Sequence, residues 1–163
     1  MPTHVQDLTR DESLDEQLAQ GKLAAAVGLV AGDSTRSLIT DPFAAGLAAL
    51  KTKRFYPINH LVVVRDELLA ELPDLAHQIF DAFSASKNSY LSDLKSGRIS
   101  DLTAADKTHL AALDVMDDPL PYGIAPNADT LTNLMQQVVA QGIIDAPLML
   151  EDLFALQSLE LVG

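Results

Sequence analysis

The segment that most restricts the fold is Leu61-Val62-Val63-Val64. It is a run of apolar, mostly β-branched residues, entered through Tyr56-Pro57-Ile58-Asn59-His60 and ended by Arg65-Asp66. Such a run is expected of a strand buried on both faces, as in a mostly parallel sheet covered by helices. Only one other stretch is comparable: Leu23 to Val30 (LAAAVGLV), between Gly21 and Gly32, although its Ala content leaves helix open. Two strands do not make a stable sheet. The expected class is therefore α/β, helix-rich with few strands of its own, in a chain that takes further strands from elsewhere.

The remaining segments have helical signatures. Ser13 with Glu16 has the spacing of a capping box, opening a helix through Leu14 and Leu18 that stops near Gly21. Asp41-Pro42 opens a second, with Phe43, Leu47 and Leu50 on one face and Lys51, Lys53 and Arg54 at its end. Pro73 to about Lys95 is the longest, with Leu75, Ile79, Phe80, Phe83, Tyr90, Leu91 and Leu94 near a 3.6-residue period and Gly97 as its stop. Thr103 and Asp106 form another capping-box pair before Leu110 and Leu113. The stretch from Asp117 to Asn127 (DDPLPYGIAPN) has too many prolines for regular structure. Asn127 or Asp129 then caps a helix carrying Leu131, Leu134, Met135 and Val138, which ends at Gly142, and Glu151-Asp152-Leu153-Phe154 makes a last short turn.

Charge and composition exclude several classes. The chain has 163 residues and a formal net charge of -12, which disfavours nucleic acid and anionic membrane surfaces as partners. Cysteine is absent, so disulfides, thiolate metal sites and a thiol nucleophile are ruled out. No apolar run reaches the ~20 residues that span a bilayer. The first residues lack a secretory h-region, so a cytoplasmic protein is expected. Nucleotide-binding, zinc-protease, serine-hydrolase and calcium-loop signatures are missing. His4, His60, His77 and His109 are scattered, so no metal site is expected, and His77 and His109 are expected at the surface.

Two places could carry chemistry. Asn59-His60 stands at the entry to the apolar run, and ligands in open α/β folds gather at strand ends. The pair either points into a cleft or closes the strand end with a hydrogen-bonded histidine. Asp117-Asp118-Pro119-Leu120-Pro121-Tyr122-Gly123 brings two carboxylates and a phenol onto a proline-stiffened loop. It is either a site loop or a helix connector whose aspartates face water.

The order of Pro57/His60 before an apolar run, a long helix, Asp118-Pro119…Pro121-Tyr122-Gly123…Asn127…Leu131, Gln141-Gly142 and Glu151…Leu153-Phe154 resembles the closing half of the 4,5-dihydroxyphthalate decarboxylase family, from about Ser13 to Ala155. That resemblance implies part of a type II periplasmic-binding-protein-like fold, two α/β lobes joined by crossover strands around a ligand cleft. Residues 1–12 are then a flexible N-terminus, 13–42 the end of the second lobe and its crossover, and 43–163 the C-terminal part of the first lobe. It also implies a carbon–carbon lyase that removes one carboxylate from 4,5-dihydroxyphthalate to give protocatechuate, with no cofactor. By chemical type, His60 is the expected general acid, and Asp117 or Asp118 accepts from the catechol hydroxyls. Asn59, Tyr122, Arg65 and Arg54 contact the substrate, the arginines as carboxylate anchors.

Two other functions suit the same fold. One is a solute-binding protein for a small aromatic dicarboxylate or other small anion. The other is a non-catalytic partial domain that pairs with a second copy, or with a chain carrying the absent N-terminal half.

Overall fold

The structure, a computed structural model, describes residues 9, 12–30, 32–53, 58 and 60–163. The chain divides into two units, 1–45 and 46–163.

In the first unit, α1 (Leu14–Ala19) begins where Ser13 Oγ accepts from the Glu16 amide at 3.2 Å, satisfying one of the amides that have no partner in a helix's first turn. Beyond α1 the expected Leu23–Val30 strand does not form. Val27 and Val30 are almost fully exposed, and no strand runs beside them among the described residues. Apolar composition favours a strand only when a neighbour supplies the ladder. The helix α2 (Pro42–Lys53) spans the division between the units. Asp41 Oδ1 accepts from the Ala44 amide at 2.9 Å, and Pro42 takes the first helical position. Leu50 is its buried residue, while Phe43, expected on the same face, is half exposed.

The second unit is helical. Leu61–Val64, expected as a buried strand, has neither ladder partners nor backbone hydrogen bonds among the described residues. Val63 is 90% exposed. A short helix that the sequence reading missed, α3 (Asp66–Glu71), follows at once and begins with two acidic residues that suit its N-terminus. Then α4 (Leu75–Lys95) packs against α3, against α5 (Ala104–Leu113) and against a 3-10 turn at Leu156–Ser158. Its buried positions are Lys87, Leu91 and Leu94. Phe83, expected inside, is 48% exposed, and a lysine takes part of the inward stripe instead.

Thr103 and Asp106 close a reciprocal capping box at the start of α5. After a 3-10 turn at Ala125–Asn127, α6 (Ala128–Ala140) buries Leu131. Asn127 precedes α6 but does not cap it through its side chain. Its Nδ2 turns back to donate to the Pro121 and Gly123 carbonyls, both at 2.8 Å, and so staples the proline-rich loop. A last helical turn, α7, covers Leu150–Leu153.

Three helices end alike. After α1, α4 and α6 a glycine (Gly21, Gly97, Gly142) at φ of +70°, +71° and +67° carries the Schellman pair of bonds, the longer one running Lys22→Gln17, Arg98→Asp93 and Ile143→Val138. Helix is thus the regular structure among the described residues. The one extended pairing among those residues is an isolated antiparallel bridge between Gly123 and Val162. No described helix is long and apolar enough to cross a membrane.

Candidate functional site

The inward face of α4 meets the 117–123 loop at an ion pair. Lys87 Nζ lies 2.6 Å from Asp118 Oδ2, with the lysine side chain 2% exposed and the aspartate 35% exposed. Asp118 Oδ1 accepts from the Leu120 amide at 2.8 Å, which fixes the carboxylate against its own loop. Pro119, between them, is fully buried and anchors the turn. The ammonium also stands 5.0 Å from the centre of the Tyr122 ring, in cation–π range. Tyr122 meets Phe80 edge-on at 6.5 Å.

Tyr122 is held from behind by the last residues of the chain. Its amide donates to the Gly163 carbonyl at 2.9 Å, and the Gly163 amide donates to its carbonyl at 3.1 Å. Gly123 has φ of +107°, and a Cβ there would collide with the Leu161 carbonyl, so this close approach requires glycine. On α4, Ser84 Oγ is buried with no hydrogen-bond partner among the described residues, and a Cβ on Gly163 would run into it and into the Phe80 ring. The cluster therefore holds a buried ammonium, a carboxylate, a phenol and an unused hydroxyl.

A second polar cluster joins α4 to α5. Asp106 Oδ2 accepts from Thr103 N–H at 2.8 Å and from Thr103 Oγ at 2.7 Å, and Oδ1 accepts from the Tyr90 hydroxyl at 2.6 Å. These bonds, the Tyr90 one foremost, hold the Asp106 carboxyl below its ordinary range. An ionised carboxylate only accepts, so the phenol proton is committed to it. The Tyr90 oxygen then accepts from His109 Nδ1–H at 2.8 Å, which assigns the neutral tautomer with its lone pair on Nε2. Burial lowers the His109 pKa, and the Asp106 charge opposes that only in part. His109 is thus a half-buried bridge between helices, not the surface residue expected.

The remaining residues singled out in the sequence lie apart from these clusters or outside the described residues. Arg54 and Asn59 lie outside them. His60 is exposed and makes no hydrogen bond among the described residues. Arg65 is exposed at the start of α3 and has no ion pair among the described residues. Asp117 points to solvent, and its carbonyl accepts from Lys95 Nζ at 3.5 Å. Of the five that lie among the described residues, only Asp118 and Tyr122 are brought together, on Lys87, which the sequence reading did not single out. Its position offered a signal. Phe80, Ser84, Lys87, Leu91 and Leu94 recur at alternating spacings of four and three, so a lysine stood in register with the apolar stripe. Among the described residues no group of three acidic or histidine side chains could hold a metal ion.

No family model, no curated protein and no solved structure matches the chain.

Proposed function

We propose that this chain is the closing part of a two-lobed protein that handles small carboxylates, of the 4,5-dihydroxyphthalate decarboxylase type, and that it works when paired with a second copy through Leu61–Val64. Leu61–Val64 carries this reading. Its backbone donors and acceptors have no partner among the described residues, and Leu61, Val62 and Val63 are each more than half exposed. An apolar, unpaired segment of this kind is a template for strand addition. The α/β periplasmic-binding-type architecture belongs to the assembled form. The resemblance over His60 and the Asp118–Tyr122 loop supports the choice of family.

In that assembly His60, at the start of the added strand, is the proton donor. The hydroxyl para to the departing carboxylate pushes electron density into the ring, and His60 protonates the carbon bearing that carboxylate. The carbon–carbon bonding pair then returns to the ring as carbon dioxide leaves.

A second reading, capture of the small carboxylate without turnover, is favoured by one observation. Both oxygens of Asp118 are engaged, by Lys87 and by the Leu120 amide, so the carboxylate serves first as a counter-ion. Light scattering on the purified chain over a concentration series, followed by incubation with 4,5-dihydroxyphthalate, tests both. Self-association with release of protocatechuate is the expected result. Ligand-induced stabilisation without product selects the binding reading. A chain that stays monomeric at every concentration and neither binds nor converts the compound ends both.

A further inference from the structure

We propose that Lys87, Ser84 and Tyr122 form a carboxylate-binding subsite, with Asp118 as a built-in carboxylate that holds the ammonium until a ligand replaces it and residues 161–163 as the strap that covers it. This rests only on the small-carboxylate part of the reading above, and depends on neither turnover nor assembly.

Four observations lead there. The Lys87 ammonium is buried and, among the described residues, its charge is met by a single carboxylate. That carboxylate is the exposed member of the pair, so it can rotate into water where the lysine cannot. Ser84 stands one helical turn before Lys87 on the same face of α4, and its buried hydroxyl has a proton to donate and no acceptor among the described residues. An ordinary core would not keep that hydroxyl unsatisfied, because a buried unpaired polar group destabilises the fold. A ligand carboxylate has two oxygens, one for the ammonium and one for Ser84 Oγ. The Tyr122 and Phe80 rings offer an apolar wall for the body of such a ligand.

The strap is lightly held. It is joined to the loop by the reciprocal Tyr122–Gly163 bonds and the single Gly123–Val162 bridge, and Val162 is 63% exposed. Gly163 lies directly over Ser84 and Phe80, so lifting the strap uncovers the hydroxyl. The ligand class follows from the chemistry: an anion with two acceptor oxygens on a flat apolar body, of which phthalate is the simplest probe.

The experiment uses the full chain, with phthalate as probe and catechol as the carboxylate-free control, read by calorimetry and thermal shift. Phthalate is expected to bind and catechol not to. Asp118→Asn removes the internal competitor and should tighten phthalate binding about tenfold, the value of one charge-assisted hydrogen bond. Ser84→Ala should weaken it several-fold while raising the melting temperature of the free protein. Lys87→Met should abolish it. Failure of wild-type protein to bind phthalate overturns the subsite, as does binding that Asp118→Asn leaves unchanged or weakens. If Lys87→Met does not fold, the Asp118→Asn and Ser84→Ala results decide alone. Decarboxylation of 4,5-dihydroxyphthalate by a protein in which these variants behave as wild type would overturn the subsite and leave the proposed function standing.

Discussion

The Lys87 ammonium and the Asp118 carboxylate meet at 2.6 Å across the junction of α4 and the proline-rich loop, with the lysine buried and the aspartate a third exposed. This asymmetry makes the two partners unequal. Removing Asp118 leaves a buried charge uncompensated, whereas removing Lys87 leaves a carboxylate that water can reach. Asp118→Ala is expected to destabilise the chain by about 2–3 kcal/mol, the lower end for a broken buried pair because the carboxylate is partly solvated. Lys87→Met should cost clearly less, since the apolar chain fills the same stripe. Urea unfolding of both single variants and the double variant measures this, and the double should lose less than the sum.

Tyr90 satisfies Asp106 and His109 at once, and both partners belong to α5. Tyr90→Phe keeps the ring and leaves two polar groups without the phenol, for an expected loss of about 1–3 kcal/mol. Thr103→Ala removes the hydroxyl that accepts from the Asp106 amide and donates to its carboxylate but keeps the Thr103 N–H bond to that carboxylate, and should cost about 1 kcal/mol. Thermal unfolding that ranks the threonine change above the tyrosine change would contradict the network.

The same cluster predicts a pH dependence with a definite sign. The His109 pKa lies below its ordinary 6.5 in the folded chain, first because of burial. The unfolded chain therefore takes up a proton before the folded chain does, and stability falls as pH drops below 6.5 toward the folded value. Asp106 is also lowered, first by the Tyr90 hydrogen bond, so its contribution holds down to its ordinary 3.8 and is lost below that. His109→Asn offers an amide in place of Nδ1–H and cannot titrate. Its stability should be flatter than wild type between about pH 7 and 5, a window set by the ordinary histidine range. Denaturant melts at a series of pH values check this.

Gly123 combines a positive φ with a backbone neighbour where a Cβ would stand. Gly123→Ala is expected to break the Tyr122–Gly163 pairing and to cost about 1–3 kcal/mol from backbone strain alone. Amide exchange should show the Gly163 and Tyr122 amides losing protection while those in α5 keep theirs.

Val63 is 90% exposed, so in the free chain Val63→Lys should change stability by no more than about 0.5 kcal/mol. If Leu61–Val64 is the segment that accepts a strand, the same change should abolish association, because an inserted charge blocks edge pairing. Light scattering beside circular dichroism separates the effects, and association that survives the substitution removes this segment from the interface.

The sequence by itself determined where α1, α2 and α5 begin and where α1, α4 and α6 end. Ser13, Asp41 and Thr103 cap, and Gly21, Gly97 and Gly142 stop, because each of these devices closes hydrogen bonds within three to five residues along the chain. Asp118 and Tyr122 were legible for the same reason, as polar groups in a proline-stiffened loop. Only the tertiary structure decided that Lys87 is buried between them, that Tyr90 reaches Asp106 and His109, and that Leu61–Val64 has no backbone partner among the described residues. A strand forms only when a ladder from distant sequence is present, and a lysine enters a core only when a carboxylate from another segment, here thirty-one residues away, meets it. Those encounters depend on chain closure over long separations, which local periodicity does not encode.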